Sequence, residues 1–183
     1  TPFANTVHEE SYDDGSFEVE YNAMSNNCSA VRFTAGSSGE DLVRFKWYQV
    51  GSGGAFYLRV WDDCGGVPCG CEDYLYSKII ASGSSDGWNE INLSDEGLNY
   101  SGTFWMGTRE FSSTRPLGLD TDSNVGNSYE NIGGSISQID GNLSYHAFLD
   151  CGDNCADPYC GDGVCNGDET ADNCSADCDE GCT

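Results

Sequence analysis

Residues 42–62 read LVRFKWYQVGSGGAFYLRVWD and hold two apolar-rich runs joined by GSGG. Neighbouring side chains in a β-strand point to opposite faces, so every second residue of a run shares a face. In the first run, Phe45, Trp47 and Gln49 point to one face, and Lys46, Tyr48 and Val50 point to the other. In the second run, Phe56, Leu58 and Val60 share one face, with Tyr57, Arg59 and Trp61 opposite. The alternation predicts two β-strands with distinct faces.

Similar short runs, separated by Gly, Ser and Asp, continue along the chain. No stretch has the sustained apolar period and the caps of a helix. The glycine-rich segments 36–41, 51–54 and 82–87 are predicted to be hairpin connections. The predicted strands are 17–21, 28–35, 42–50, 55–62, 74–81, 88–93, 102–109, 127–132 and 143–149. This pattern predicts an all-β fold, an antiparallel β-sandwich of two sheets.

The chain divides near residue 150, where the last long apolar stretch gives way to cysteines and acids. Residues 151–183 contain seven cysteines, nine Asp or Glu, and no Lys or Arg. Such a segment cannot bury a hydrophobic core, so covalent links or a metal must order it. We predict an N-terminal arm over 1–11, the sandwich over 12–150, and a small disulfide-rich, loop-dominated module over 151–183.

The charge of the chain is strongly unbalanced. It has 31 acidic and 7 basic side chains and a formal net charge of −24. That charge repels phosphate backbones and anionic headgroups, which argues against nucleic acid and membrane surfaces as partners. Clustered carboxylates favour divalent cations instead. No stretch approaches the ~20 apolar residues that span a bilayer, so membrane insertion is not expected.

Eleven cysteines in 183 residues indicate an oxidising compartment. We therefore predict a secreted, extracellular protein at the cell surface. The sequence starts at Thr1 with no methionine, basic segment or apolar segment, which leads us to expect that a targeting segment has been cleaved.

Several segments, taken in serial order, look like one known pattern. They are YDDG (12–15), AVRF (30–33), VRFKWYQ (43–49), FYLRVWDD (56–63), GWNEINL (87–93), GTFWMG (102–107), PLGLDTD (116–122) and LSYHAFL (143–149). The order resembles the jelly-roll β-sandwich modules of secreted bacterial proteins, often found beside a type IX secretion signal or beside proteases. The resemblance implies an accessory role in binding, adhesion or folding support.

Cysteines have been added to that pattern. Cys64, Cys69 and Cys71 lie in one loop and form an even set of four with Cys28. Three cysteines in one loop cannot all pair locally, so one is expected to tie the loop to Cys28 while the others close a short bridge. Seven tail cysteines leave one sulfur over, which is free, joins a core cysteine or joins another chain. Cys182 has the greatest freedom to find an external partner.

The tail is similar to the small CGDG-x-C-N modules appended to many secreted proteins and, more loosely, to Notch-type calcium repeats. It reads CGDGVCNGDETADNCSADC over 160–178. Oxygen ligands suit calcium, and the sulfurs are expected to be oxidised. The proposed calcium ligands are Asp162, Asn166, Asp168, Glu169 and Asp172, enclosed by Cys160, Cys165, Cys174 and Cys178; Cys151 and Cys155 precede them. The alternative is a solvated acidic loop held only by disulfides.

Two weaker acidic groups precede the tail. DTDSNVG at 120–126 starts like a calcium loop and offers Asp120, Asp122 and Asn124, but it lacks the loop's glycine and its final glutamate. An ordinary turn explains it as well. A further candidate site, at a sandwich edge, comprises Asp13, Asp14, Asp62 and Asp63, which turn chemistry explains equally well.

Nothing in the sequence predicts catalysis. It has two histidines, His8 and His146, with no spacing typical of a catalytic triad. It has no nucleophile-elbow, zinc-protease or phosphate-loop motif. A glycosidase pair could hide among so many acids. We expect His146 to be a strand residue with a satisfied hydrogen bond.

Aromatic residues and sequons suggest surface roles. The four tryptophans are candidates for a sugar-stacking face, although most such residues fill cores; they are Trp47, Trp61, Trp88 and Trp105. Five N-x-S sequons are candidate glycosylation sites: Asn27, Asn92, Asn99, Asn142 and Asn173.

The N-terminal segment suggests assembly. TPFANTVHEESY (1–12) is polar and extended-looking, with Phe3 and Val7 as apolar anchors. Such an arm can add a strand to a neighbour's sheet, and head-to-tail repetition gives a filament. The first functional hypothesis is therefore a self-associating structural subunit of an extracellular filament; the alternative for the arm is disorder. The second is a carbohydrate-binding or adhesion module, and the third a secreted hydrolase.

Overall fold

The computed structural model describes residues 7–81, 84–111, 115–122 and 124–152. Its strands are β1 (Val7–Glu10), β2 (Val19–Ala23), β3 (Cys28–Gln49), β4 (Phe56–Asp62), β5 (Tyr74–Ile80), β6 (Gly87–Asn92), β7 (Asn99–Glu110), β8 (Arg115–Asp120), β9 (Ser128–Ile132), β10 (Ser135–Gln138), β11 (Asn142–Leu143) and β12 (Tyr145–Asp150). A 3-10 turn covers Ser94–Glu96. No helix in these ranges is long and apolar enough to cross a bilayer. The all-β, antiparallel prediction is confirmed.

The long strand β3 connects the two halves of the fold. Up to Ala35 it pairs with β7 and β9; its pairing with β7 resumes at Glu40 and Asp41, pairing with β12 begins at Asp41, and pairing with β6 begins at Arg44. The register with β7 shifts between Ala35 and Glu40, and Gly39 there has a φ of +88°. The predicted hairpin at 36–41 was therefore wrong. Its glycines let the strand bend from one half to the other without reversing direction.

We name two parts of the sheet by their strands. The first half-sheet runs β10, β9, the first half of β3, β7, β4 and β5; the second runs β1, β12, the second half of β3, and β6. β8 pairs with β2 and β11 and meets β3 at Gln49. The two inner faces share one core, whose members include Val31, Phe33, Phe45, Trp47, Phe56, Leu58, Val60, Phe104, Met106, Tyr145, Ala147 and Leu149.

The predicted faces of residues 42–62 are confirmed. Phe45, Trp47 and Gln49 are buried, whereas Lys46 and Tyr48 are partly exposed. Phe56, Leu58 and Val60 lie in the shared core, while Trp61 belongs to a separate cluster on the outer face of the first half-sheet.

That separate cluster is covered by the cysteine-rich loop. Trp61 and Trp105 are 1% and 0% exposed. The Trp61 indole donates to the Cys71 carbonyl at 3.1 Å, and the Trp105 indole donates to an Asp63 carboxylate oxygen at 2.8 Å. The loop is fixed by disulfides Cys28–Cys71 and Cys64–Cys69. The predicted tie to Cys28 and the short bridge are confirmed, and the structure identifies Cys71 as the loop cysteine that pairs with Cys28. Cys151 is also disulfide-bonded, so every cysteine in the described residues is oxidised, as in an oxidising compartment.

A buried ion pair ties β8 to the core. Arg115 is 1% exposed and Glu110 is 2% exposed. The guanidinium donates to the Glu110 carboxylate at 3.1 and 2.9 Å and to the Gln49 side-chain oxygen at 3.1 Å. Thr108 donates to the same carboxylate at 2.8 Å and lies 2.9 Å from the Tyr145 hydroxyl. This network was not predicted from the sequence.

Three strands were missed or lay outside the strand predictions, and two further hairpin predictions were wrong. β8 contains Pro116 and Gly118, which lower strand propensity, yet it pairs on both sides. β10 follows a turn at Gly133 and Gly134, whose positive φ values suit a tight hairpin. β1 lies within the predicted arm. Segment 51–54 lies between β3 and β4, and segment 82–87 lies between β5 and β6 in the chain. Neither pair of strands is hydrogen-bonded together, so neither segment closes a hairpin.

Candidate functional site

The outer faces of the two half-sheets differ in what packs over them. The cysteine-rich loop closes the centre of the first half-sheet's outer face. The outer face of the second half-sheet carries an open groove of about 660 Å³. Its lining comes from β1, β3, β6, β12 and the turn after β6: Val7, Glu9, Val43, Arg44, Glu90, Asn92, Ser94 and Phe148. We call this the outer groove.

Strand register builds the groove. Along β3, Arg44, Lys46 and Tyr48 point outward because Phe45 and Trp47 face the core. On one side these three residues are paired with Asn92, Glu90 and Trp88 of β6. On the other side, Arg44 is paired with Phe148 and Lys46 with His146 of β12. The pairing therefore places aromatic, cationic and acidic side chains in adjacent rows.

Each cation on this face is held by an acid and by an aromatic ring. Arg44 lies 3.3 Å from the Glu90 carboxylate, and its guanidinium carbon is 3.7 Å from the centre of the Phe148 ring. Lys46 lies 3.7 Å from the Glu9 carboxylate and 4.5 Å from the centre of a Trp88 ring. These contacts hold long side chains in place and balance their charges locally.

His146 lies beside the groove between two carboxylates. Its Nδ1 is 2.5 Å from Glu9 and its Nε2 is 2.8 Å from Asp13, and the ring centre is 4.5 Å from that of Trp88. The predicted satisfied hydrogen bond is confirmed, and there are two of them. Glu9 and Asp13 were not predicted as its partners, because they lie more than 130 residues away in the chain.

The tryptophans do not form one face. Trp47, Trp61 and Trp105 are at most 3% exposed and fill the two clusters, as most such residues were expected to do. Trp88 alone of the four is partly exposed, and it stands beside Tyr48, whose ring centre is 5.3 Å away. Phe17 packs on the other side of Tyr48 at 4.6 Å. The partly exposed aromatic residues of this face are therefore Trp88, Tyr48 and Phe17, while Phe148 is 7% exposed beneath Arg44.

The predicted calcium loop at 120–126 is only partly assembled. Asp120 and Asp122 come together with Glu18, and one carboxylate oxygen from each lies within 4.8 Å of the others. Charge repulsion from Glu18 and the hydrogen bond with Asp120 raise the pKa of Asp122. Asn124 turns away and donates to Asp140 at 2.8 Å. Glu18 lies about a hundred residues from the loop, so spacing alone could not identify it.

Other predicted sites are separated or lie elsewhere. Asp13 contacts His146 and the Asp14 amide donates to Asp120, while Asp63 accepts from Trp105, so the proposed edge set is split between two places. The tail ligands Asp162, Asn166, Asp168, Glu169 and Asp172 lie outside the described residues, as do Phe3 and the tail cysteines after Cys151.

The sequons differ in access. Asn142 is 0% exposed and its amide donates to the Tyr12 carbonyl at 2.8 Å, so the folded chain cannot present it for glycosylation. Asn92 and Asn99 are exposed and Asn27 is partly exposed, while Asn173 lies outside the described residues. A glycan on Asn92 would fill the outer groove, because Asn92 lines it.

Comparison with known proteins gives a fold and no family. No family model matches the chain, and no curated protein matches it. A structure of the clostridial cysteine protease Cwp84 after propeptide cleavage matches with a TM-score of 0.65 and 15% identity, over 79% of this chain and 40% of that one. A structure of the cysteine protease and lectin-like domains of Cwp84, a surface layer associated protein of Clostridium difficile, matches with a TM-score of 0.55 and 16% identity, over 79% and 36%. The match thus covers at most 40% of the length of either neighbour.

Proposed function

We propose that this chain is an extracellular glycan-binding module and that the outer groove is its binding site. The observation that carries the proposal is the groove, open within the described residues, in which the cation Arg44, two carboxylates and an amide surround Phe148, whose ring is 7% exposed beneath the Arg44 guanidinium. Concave sites with a few fixed polar groups beside aromatic surface suit ring-shaped, hydroxyl-rich ligands. One structural neighbour contains a lectin-like domain, which supports the same class of function.

The charges of the groove favour a neutral glycan. Arg44 is neutralised by Glu90 and Lys46 by Glu9, so no unpaired cation among these groups is left to bind an anionic sugar. The chain as a whole carries −24, which repels polyanions at long range. Sugar hydroxyls can donate to the carboxylates and accept from Asn92 and Arg44. Secretion to the cell surface is part of this proposal.

A glycan array of neutral and acidic oligosaccharides tests the proposal. We expect binding to neutral members, and binding weakened about two- to tenfold by Trp88→Ala, because Trp88 shares a face of β6 with the groove residues Glu90 and Asn92 and an aromatic contact contributes about 0.5–1.5 kcal/mol. Tyr74→Ala is the matched control, since Tyr74 is a 43%-exposed aromatic residue on the first half-sheet. Failure to bind any member, or equal losses in the two variants, would refute the assignment.

A second candidate is a filament subunit, and the observation that favours it is the position of β1. This strand is the outermost strand of the second half-sheet, paired with β12 of its own chain. Its contacts beyond the backbone are mainly polar, from Glu9 to His146 and from Glu10 to the Thr34 amide. Exchange of β1 between copies would give the strand addition predicted from residues 1–12. Negative-stain microscopy of concentrated protein would show filaments under this proposal; dispersed particles at every concentration would contradict it.

Calcium remains a proposed ligand of this chain. Its candidate residues are the tail acids and the Glu18, Asp120 and Asp122 group. Hard oxygen donors of this kind suit calcium, and a cation would relieve the repulsion among the three carboxylates.

A further inference from the structure

The outer groove lies at one end of a longer surface. Three pairs of outward-facing residues follow one another along β3 and β6: Arg44 with Asn92, Lys46 with Glu90, and Tyr48 with Trp88. The first pair lines the groove, whereas the third pair lies beyond its lining. Residues on one face are two apart in a strand, so each step is about 7 Å and the third pair lies about 14 Å from the first. The surface therefore continues along the strands past the groove.

The far end of this surface carries aromatic rings that are held in place. The Lys46 ammonium and the centre of the His146 ring each lie 4.5 Å from the centre of a Trp88 ring. The Tyr48 ring stands at 85° to the Trp88 ring with the ring centres 5.3 Å apart, and Phe17 packs against Tyr48 at 4.6 Å. Trp88, Tyr48 and Phe17 remain partly exposed. Because these rings are ordered before a ligand arrives, binding to them costs little further conformational entropy.

The two ends of the surface differ in chemistry. The groove end presents the hydrogen-bonding side chains of Arg44, Glu90 and Asn92. The far end presents the partly exposed ring of Trp88. A sugar ring has hydroxyl groups at its edge and C–H groups on its faces, so the first end suits hydroxyls and the second suits a ring face. A single sugar ring is about as wide as a phenyl ring and cannot contact two ends that are about 14 Å apart.

We propose that the outer groove binds a linear neutral oligosaccharide, laid along β3 and β6, whose length of about three or more sugar units brings one ring onto Trp88. This inference rests on the proposed glycan-binding function and adds to it the length and direction of the ligand. A single sugar or a disaccharide reaches only one end of the surface, so it loses either the hydrogen bonds of the groove or the contact with Trp88. The preferred ligand is therefore a stretch of glycan chain and not a single terminal sugar.

Isothermal titration of the whole native protein with chains of increasing length tests the inference. The probes are neutral homo-oligosaccharides of glucose, mannose, galactose and N-acetylglucosamine, from the single sugar to the hexasaccharide. Trisaccharides and longer chains should bind about two- to tenfold more tightly than disaccharides, because they gain one aromatic contact. Equal affinity for every length would overturn the inference and leave glycan binding intact. Absence of binding at every length would overturn it together with the proposed function.

The Trp88→Ala variant separates the aromatic contact from the general advantage of a longer chain. It should bind disaccharides as the native protein does and lose the gain of about two- to tenfold on lengthening. Tyr74→Ala is the matched control and should keep that gain, because Tyr74 is 43% exposed and lies on β5 of the first half-sheet. A Trp88→Ala variant that keeps the gain, or that loses the same factor for short and long chains, would overturn the inference.

Nitrogen-15 spectra of the native protein give a readout that does not depend on a variant. Trp47, Trp61 and Trp105 are at most 3% exposed, whereas Trp88 is partly exposed. The indole signal of Trp88 should shift with the hexasaccharide and stay in place with the single sugar. A Trp88 signal that shifts equally with both sugars, or with neither, would contradict the inference.

Discussion

Replacing Arg115 with methionine removes the cation from a buried ion pair and leaves its carboxylate in place. In the native chain Arg115 donates twice to Glu110, once to Gln49, and lies 3.9 Å from the centre of the Phe56 ring. After the change Glu110, 2% exposed, keeps the Thr108 hydroxyl as a donor. Removing one partner of a buried pair costs about 3–5 kcal/mol, so we expect the free energy of unfolding to fall by that amount.

Urea unfolding of the disulfide-intact protein, followed by tryptophan fluorescence, measures the loss. Arg44→Met is the matched control, because its ion pair with Glu90 is 39% and 59% exposed and should contribute no more than about 1 kcal/mol. Combining Arg115→Met with Glu110→Gln should recover part of the loss, since no charge is then left buried. If Arg115→Met were no more destabilising than Arg44→Met, the network would not stabilise the fold as argued.

Three further predictions concern the loop and the acidic group. Cys28→Ser should cost more stability than Cys64→Ser, about 4 against about 2 kcal/mol, because their disulfides close 43 and 5 residues of chain; unfolding curves measure both. The hydrogen bond from Trp105 holds the pKa of Asp63 below its usual range, so its stabilising contribution is complete above about pH 4 and is lost at lower pH, as the folded-state carboxyl protonates. The fluorescence emission of Trp105 should change across that transition in the native protein. The Asp63→Asn variant should show no such change. Asp122→Asn should raise the melting temperature in chelator and reduce the gain from added calcium; an unchanged calcium response would exclude a calcium site that depends on Asp122.

Local patterns predicted the parts of the fold that local chemistry controls. Alternation alone assigned the faces of Phe45, Trp47 and Leu58, because a strand at an interface repeats every two residues. The parity of the cysteines gave the tie to Cys28, since one loop cannot pair three cysteines internally. Neither prediction required knowledge of which strands are neighbours.

The candidate site depended on long-range register, which the sequence does not state. The sequence identifies Arg44 and Glu90 as charged residues, but their contact requires β3 to pair with β6, and β4 and β5 lie between those two strands in the chain. The predicted turn at 36–41 is part of β3, because glycine permits a bend as readily as a reversal. Asp13 was considered as a metal ligand, whereas in the structure its carboxylate is hydrogen-bonded to His146.

The most direct test of the glycan-binding proposal is a nitrogen-15 NMR titration of the native protein with the neutral oligosaccharide that binds most strongly on the array. The proposal predicts shift changes concentrated at the outer groove, at Arg44, Glu90, Asn92 and Phe148, with Tyr74 unaffected. Changes confined to the first half-sheet, or no changes at saturating sugar, would contradict it.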